Sequence, residues 1–509
     1  MILTNKEKSI LDQSKLNKLF STPVPNVYSH NTTISKPLYT TSSSSSSSLT
    51  PLSSSNTSLI YIINDYDNNT DVEPLITDLA ECTDENQCAQ IALFFASSSL
   101  LHIPNKIVYN LKKYTSKSLL REIDKDLTVA VEKCLIVISN LSSTYFNDKW
   151  KTLNSTILHE QTQNSASNYI YNKVIDCLLS GSKEKGPMIE IMKNKFGKET
   201  YSQGVTSRKF KITDTYYNAG LTTYNLTTPK LIRQRQKHTF KTLKIASDNI
   251  IAANLIELYS QIDYPDESEI LKRGKELCKA KKKNKKGKTY TMRNRHKNEY
   301  WKDHENRTFI EDNILLYKYL TDNGIMIPIV GDHKSGGRVV DCFTLMPSWI
   351  RAMIKIDGEP IVEVDYACLH PNIAISLYGG AQKYITHKSI SDDTGIDKDI
   401  IKIEHLSFFN KQRAEMKKSP LYNYYTSTEN RMIKNIINEK ICLNYKITSQ
   451  RLFEKEVEIM TEVIRRLNLE GINAGYVYDA LFTTQKNVDR VREVMNRVAS
   501  DLSIYTTAK

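Results

Sequence analysis

The sequence predicts an α+β protein in which a long helical region precedes a shorter region of mixed strands and helices. Apolar side chains recur near helical spacing through much of residues 78–258, for example at Leu127, Val131 and Leu135. After residue 301 the pattern changes. Short apolar runs typical of strands, at 360–365 and 475–484, then alternate with helical stripes.

Length and charge indicate a multidomain protein with a polyanionic partner. The 509 residues correspond to two to four domains at roughly 150 residues per domain. The net charge of +13 weakly favours nucleic acid, since lysine and arginine displace counterions from phosphates. The most apolar helical runs, 91–101 and 127–141, are too short or interrupted by charge, so we expect no membrane span.

The eight cysteines and the first residues bear on the compartment. No CxxC pair occurs, which is typical of free thiols in a reducing, intracellular compartment. The first 15 residues lack the apolar segment of a secretory signal. A mitochondrial, nuclear, cytoplasmic or viral setting remains open.

The composition divides the chain into four segments. Residues 1–58 form a Ser-rich tail, which we expect to be disordered because it cannot bury enough apolar surface. Residues 59–270 are expected to form a helical domain that could include a thumb. Residues 271–300 form a basic loop or linker, and residues 301–509 carry the motifs described below.

The basic segment reads CKAKKKNKKGKTYTMRNRHK at residues 278–297. It could be a solvated loop, but its place beside the motifs favours contact with backbone phosphates. Tyr290 and His296 could also stack on bases. The candidate nucleic-acid ligands are Lys281, Lys282, Lys283, Lys285, Lys286, Arg293 and Arg295.

Two aspartates occur in apolar strand contexts. Asp365 ends the run IVEVD, and a helix is expected to begin near Pro371. Asp479 lies in AGYVYDALFTT, a candidate strand–turn–strand segment. Burying a carboxylate is costly unless a metal or another partner neutralises it, so the two aspartates indicate one shared site. Each alone could instead cap a turn or pair with a lysine.

This pattern suits transfer of a nucleotidyl group by a two-metal mechanism. Such chemistry uses two divalent cations about 3.5–4 Å apart, held by carboxylates on rigid elements. Neighbouring strands would provide that rigidity. We therefore predict that Asp365 and Asp479 are catalytic, that they and Tyr366 bind metal, and that the cofactor is Mg²⁺, with Mn²⁺ as the alternative.

Residues 336–380 resemble the central segment of family A DNA polymerases. The family's motifs correspond to Gly337-Arg338, Leu345-Met346-Pro347, the apolar strand 361–364 and Asp365-Tyr366-Ala367. Leu369-His370-Pro371 is similar to part of a family B polymerase motif. Tyr478-Asp479-Ala480 resembles the His-Asp motif of family A and phage-type RNA polymerases, with tyrosine in place of histidine. The resemblance implies a right-hand polymerase palm with a small antiparallel sheet, helical fingers and a thumb.

The resemblance also implies roles for basic residues. An arginine and a lysine on the family's fingers helix hold the triphosphate, and the candidates are Arg431 and Lys434, with Lys440 as an alternative ligand. Their spacing of three differs from the family's four, and an exposed basic helix face is the other interpretation. The family's arginine, here Arg338, contacts the primer–template. No upstream acidic set suggests a proofreading domain.

His370 bears on the choice of sugar. In right-hand polymerases the residue five after the first aspartate packs under the incoming sugar, and a bulky side chain there excludes a 2′-hydroxyl. His370 occupies this position and therefore favours deoxynucleotides. It could instead be a helix-start residue without a gating role.

The sequence thus predicts a DNA-directed DNA polymerase that acts in replication, with a primer–template and dNTP as partners. RNA or primer synthesis by a single-subunit polymerase is the first alternative. A noncatalytic nucleic-acid-binding protein on a polymerase-like palm is the second. A metal-dependent nuclease is less favoured, because nucleases usually cluster more carboxylates.

Overall fold

The computed structural model describes most of the chain after residue 97. The described residues are 98–146, 150–163, 169–182, 184–194, 196–199, 208–217, 220–284, 287–293, 306–321, 326–381 and 384–509. The predicted tail, 1–58, lies outside them, as do Lys285, Lys286, Arg295 and His296.

The described part has an α+β fold of many helices and small sheets. The helices are α1 Ile107–Tyr114, α2 Lys117–Ile123, α3 Leu127–Leu141, α4 Ser155–Thr162, α5 Ile170–Ser180, α6 Asp214–Tyr217, α7 Pro229–Ser247, α8 Ile250–Leu258, α9 Glu267–Lys279, α10 Ile310–Thr321, α11 Cys342–Leu345, α12 Ser348–Arg351, α13 Leu369–Tyr378, α14 His387–Thr394, α15 Lys398–Phe408, α16 Arg413–Lys417, α17 Pro420–Thr428, α18 Asn430–Cys442, α19 Ile447–Leu469 and α20 Val488–Asp501. The strands are β1 Leu100–Pro104, β2 Lys151–Thr152, β3 Ile189–Ile191, β4 Lys209–Ile212, β5 Leu221–Asn225, β6 Ile262–Asp263, β7 Thr289–Thr291, β8 Arg307–Phe309, β9 Ile329–Val330, β10 Val339–Val340, β11 Lys355–Ile356, β12 Glu359–Asp365, β13 Gly475–Val477 and β14 Ala480–Thr484.

A first hydrophobic core surrounds helix α3, of which 10 of the 15 residues are buried. Strand β1 pairs with β5, and β2, β4 and β3 form a second antiparallel sheet beside the helices. The region predicted to be helical therefore also contains strands. Strands β2 and β3 have only two and three residues, too few to show the apolar alternation that identifies a strand. Strand β4, Lys-Phe-Lys-Ile, does alternate and buries every second side chain, so its four residues carried a signal that the prediction missed.

Helix α3 also accounts for the apolar run at 127–141. In the described part of the chain, one window, 127–144, is long and apolar enough to cross a membrane. Within the protein, 67% of that window is buried. Its apolar side chains are thus used in the first core, where Glu132 and Lys133 are buried too.

A second core surrounds an antiparallel sheet in the order β13-β14-β12-β11-β6. Helices α19 and α20 pack against each other, and α20 also contacts β12 and β14. The hydroxyl of Tyr366 donates to the carbonyl of Met495, which ties the end of β12 to α20. This packing holds the two central strands rigidly at the point where the aspartates lie.

The predicted elements of this region are largely confirmed. The expected helix at 309–320 is α10, the strand at 360–365 is β12, and the strand–turn–strand at 475–484 is the β13–β14 hairpin. The expected stripe of α20, Val488, Val491, Met495 and Val498, is buried. On α19, Phe453 and Val457 are only half-buried; both lie beside the turn at Gly336 and Gly337, and Val457 also packs against the second core.

Helix α7 connects the two cores. Its residue Leu231 belongs to the first core, whereas Leu243 and Ala246 belong to the second. Arg235 on α7 also donates to the carbonyl of Ser98, 2.6 Å away. Hydrophobic packing therefore changes from one core to the other within α7, before the predicted boundary at residue 270.

Candidate active site

The register of the central strands places the two aspartate motifs side by side. Asp365 at the end of β12 lies opposite Ala480, and the amide of Tyr366 donates to the carbonyl of Asp479, 3.2 Å away. Paired residues on antiparallel strands have Cα atoms within ~5.5 Å, and the next residue lies ~3.8 Å further. The Cα atoms of Asp365 and Asp479 are therefore at most ~9 Å apart.

Asp479 occupies the turn of the β13–β14 hairpin. The preceding Tyr478 has φ of 59°, a left-handed conformation that is uncommon outside glycine. Burial raises the pKa of the Asp479 carboxyl, and the negative charge of Glu456 raises it further. The surroundings thus disfavour the negative charge of Asp479, and a bound cation would offset that penalty.

The donor set suits a magnesium ion that also binds substrate. Mg²⁺ in such sites usually takes one or two carboxylates and completes its shell with phosphates and water. Asp479 is half-buried, whereas Asp365 is exposed at the end of β12, so the prediction of a buried carboxylate is wrong for Asp365. The two aspartates can still supply those carboxylates. Among the described residues, those of this site included, no group of three or more His, Cys, Asp or Glu side chains is arranged for a metal. The Tyr366 hydroxyl is already bound to Met495, so Tyr366 could contribute only its backbone carbonyl.

A buried ionic cluster lies next to Asp479. The fully enclosed carboxylate of Glu456, on α19, accepts from Nε and Nη2 of Arg338 at 2.8 and 2.6 Å. It also contacts Nε2 of His370 at 2.6 Å, and Nη2 of Arg338 lies 3.3 Å from the same nitrogen. Burial alone would raise the pKa of Glu456, but the hydrogen bond with His370 and the charge of Arg338 hold it below its usual value.

The charges in this cluster determine that Nε2 of the His370 ring is protonated. An ionised carboxylate only accepts, and a guanidinium only donates. Nε2 of His370 must therefore carry its proton and donate to Glu456. Arg338 and His370 are consequently two donors held by one acceptor.

Local packing explains why Arg338 reaches this position. Gly336 adopts φ of 67°, and a Cβ atom there would lie 2.5 Å from the Cβ of Phe453. Only glycine lets the turn approach α19 so closely. The Arg338 guanidinium then stacks 3.7 Å from the centre of the Phe453 ring and 4.6 Å from that of Tyr478.

Glu456 was absent from the residues predicted from sequence. A signal for it exists, because Glu456 lies on the buried side of α19 with Leu452, Ile459 and Val463. An acid within an apolar helical stripe indicates a buried partner. Its partners Arg338 and His370 lie 118 and 86 residues away in sequence, so the pattern could not identify them.

The predicted roles of Arg338 and His370 therefore involve residues that already have partners. The side chain of Arg338 is 18% exposed, and its Nε and Nη2 atoms are bound to Glu456. The side chain of His370 is 28% exposed at the start of α13. Helix α13 begins at Leu369, two residues before the expected start. Contact with primer–template and with the sugar stays a prediction for these two residues.

The predicted triphosphate ligands lie on α18. Arg431 and Lys434 are both exposed on this helix. Arg431 lies at the end of α13, because a Cβ atom at Gly379 would be 3.3 Å from its Nε. Gly379 follows His370 by nine residues, or ~13 Å along a helix axis. Arg431 thus lies at the opposite end of α13 from His370.

The alternative ligand Lys440 has a structural role. Lys440 is 5% exposed, and its ammonium donates to the carbonyl of Phe409 at 2.8 Å, to that of Lys411 at 3.2 Å, and to that of Tyr445. Three backbone carbonyls thus occupy all three donors of the ammonium. Lys440 is therefore excluded from the proposed nucleotide ligands.

Part of the basic segment, residues 278–284 and 287–293, is described by the structure and contacts the rest of the protein. Lys281, Lys282 and Lys283 are exposed just after α9, where cations also interact favourably with the helix dipole. Arg293 is bound to Asp312. Tyr290 is buried against Trp349, with ring centres 6.2 Å apart, so it is not exposed for stacking on a base.

The last described residues also border the site. Asp365 and Lys509 exchange two backbone hydrogen bonds, of 3.1 and 3.0 Å, and the amide of Ala367 donates to the carbonyl of Thr507. Strand β12 therefore has a partner on each side of Asp365, with β14 on one edge and residues 507–509 on the other. This double pairing holds the backbone of Asp365 in place.

The chain was compared with protein families and with curated proteins. No protein-family model matches the chain, and no curated protein matches it significantly. The function proposed below therefore rests on the geometry of the site and on the resemblance of its motifs to those of family A polymerases.

Proposed function

We propose that this protein catalyses template-directed nucleotidyl transfer, and specifically DNA synthesis from dNTP on a primer–template. The observation that carries the proposal is the pairing of β12 with the β13–β14 hairpin, which brings Asp365 beside Asp479. This arrangement agrees with the palm that the resemblance to family A polymerases implies. Neither aspartate motif would predict that pairing by its own sequence.

Each residue of the site has a separate proposed role in this reaction. Asp365 and Asp479 would hold two Mg²⁺ ions, which activate the primer hydroxyl and stabilise the charge on the triphosphate when bound. His370 would contact the sugar and Arg338 the primer–template. Arg431 and Lys434 remain the proposed triphosphate ligands, approaching from α18.

The charge of the surface supports a nucleic-acid partner. Helix α7 carries six lysines and arginines and no acidic residue. Arg233, Lys237 and Lys241 on this helix are exposed and spaced four residues apart, so they lie on one face. Lys241 is paired with Glu160, 3.3 Å away, so Arg233 and Lys237 are the cations of this face that we expect to meet the phosphate backbone.

Primer extension with separate dNTP and NTP pools tests the proposal. The parent protein should extend primers with dNTP, and Asp365→Asn or Asp479→Asn should lower extension by orders of magnitude. Binding of primer–template without nucleotide should persist in both variants. Parental extension rates in either variant would contradict the site. Equal use of NTP and dNTP would favour RNA synthesis, and binding without any extension would favour a noncatalytic protein.

A further inference from the structure

Glu456 binds both Arg338 and His370, the two side chains that the proposed reaction assigns to the primer–template and to the sugar. Its carboxylate is 0% exposed and holds Arg338 through two nitrogens and His370 through a third. In the proposed reaction, Arg338 serves the primer–template and His370 serves the sugar of the incoming nucleotide. Both groups thus depend on one buried acceptor.

We infer that Glu456 is a positioning residue that sets sugar discrimination by holding the His370 imidazole in one orientation. This inference rests on the proposed function and deepens it. Free rotation would let an imidazole move away from a 2′-hydroxyl, whereas a hydrogen bond of 2.6 Å to a buried carboxylate opposes that movement. Phe453 confines the ring further, with ring centres 5.6 Å apart.

Replacement by glutamine should disturb this arrangement with little change in volume. Glutamine keeps one acceptor oxygen but places an N–H₂ group where the second carboxylate oxygen was. If the N–H₂ group replaces Oε2, both Nη2 of Arg338 and Nε2 of His370 would face a donor; if it replaces Oε1, Nε of Arg338 would. Either the imidazole would leave its fixed orientation or the guanidinium would be short of one acceptor.

The experiment compares kcat/KM for dNTP and NTP during primer extension. In Glu456→Gln the ratio of the two values should fall at least about tenfold, as expected for the loss of one hydrogen bond to a charged group. His370→Ala should lower the same ratio. The double variant should be no worse than His370→Ala alone, because Glu456 acts on the sugar through His370.

Val463→Ala provides the matched control. Val463 is completely buried on the same helix and takes no part in the cluster. Its truncation should lower the thermal stability while leaving the dNTP-to-NTP ratio at the parental value. A general loosening of α19 would instead change the ratio in this variant too, and would overturn the inference.

The outcomes separate this inference from the proposed function. A parent that extends primers while Glu456→Gln keeps the parental ratio overturns the inference alone. Additive losses in the double variant also overturn it, since they would show that Glu456 does not act through His370. A parent that extends no primer overturns both the proposed function and the inference.

Discussion

Two glutamates, Glu132 and Glu456, are completely buried on long helices of the two hydrophobic cores. The partners of Glu132 are the hydroxyl of Tyr224, the amide and hydroxyl of Thr227, and the amide of Thr228. These groups lie just before α7, so Glu132 fixes the start of that helix. The partners of Glu456 are side chains that reach the partly exposed surface beside Asp479.

The comparison shows that a buried charge does not by itself mark a functional site. Both carboxylates have several hydrogen bonds, and in both cases these bonds hold the pKa of the glutamate below its usual value against the effect of burial. They differ in what they hold. Glu132 satisfies backbone and hydroxyl groups, whereas Glu456 orients two cationic or titratable side chains next to a second carboxylate. The predictions below test this division.

Replacement of Glu132 should affect stability and not catalysis. In Glu132→Gln an amide N–H₂ would face the donors of Thr227 or Thr228, which should lower the free energy of unfolding by about 2–4 kcal/mol. Urea unfolding measures this loss, and primer extension below the unfolding transition should remain near the parental rate. A large loss of kcat in folded Glu132→Gln would show that Glu132, like Glu456, affects catalysis and not only stability.

The same variant should change how the free energy of unfolding depends on pH in acid. The pKa of Glu132 is lowered in the folded state, so its contribution is present above the unfolded value of about 4.5 and is lost as pH falls through the folded value. The parent should therefore lose stability in acid more steeply than Glu132→Gln. Parallel curves for the two proteins would show that Glu132 is not linked to acid unfolding.

Lys440 and Lys434 extend the comparison to one helix, α18. Lys440→Met removes an ammonium that serves three buried carbonyls and should lower the free energy of unfolding by about 1–3 kcal/mol. Lys434→Ala removes an exposed ammonium and should leave stability unchanged while raising the KM for nucleotide. If folded Lys440→Met has a raised KM for nucleotide and Lys434→Ala has the parental KM, then Lys440 and not Lys434 binds the nucleotide.

His370 provides a smaller expected effect. His370→Ala should admit ribonucleotides while kcat/KM for dNTP stays within about tenfold of the parent, or about 1.4 kcal/mol. Single-nucleotide incorporation with each pool measures both quantities. Loss of both activities would mean that His370 supports the fold or the metal site, and the argument about the sugar would fail.

The smallest effect is expected from Lys281, Lys282 and Lys283. Replacing all three with glutamine should reduce the slope of log K against log salt by about 0.9 for each phosphate that is no longer neutralised. Arg492→Gln is the control, because that exposed arginine is paired with Asp489. An unchanged slope in the triple variant would identify the basic segment as a solvated surface.

The sequence by itself determined the local elements around the proposed site. Apolar spacing identified β12, the β13–β14 hairpin and α20. Helix α20 buries a regular stripe of its side chains, all five residues of β14 are buried, and β12 buries only Val364. It also singled out Asp365 and Asp479 as carboxylates in apolar strands. The resemblance to a polymerase palm was drawn from those same motifs.

Only the tertiary structure decided which residues meet. Glu456 contacts Arg338 and His370 across 118 and 86 residues, and the pairing of Asp365 with Ala480 joins segments separated by more than a hundred residues. Local periodicity contains no information about such contacts, since it reports only which face of an element is buried. Lys440 shows the same limit: its position on a basic helix suggested a ligand, whereas the surrounding carbonyls give it a structural role.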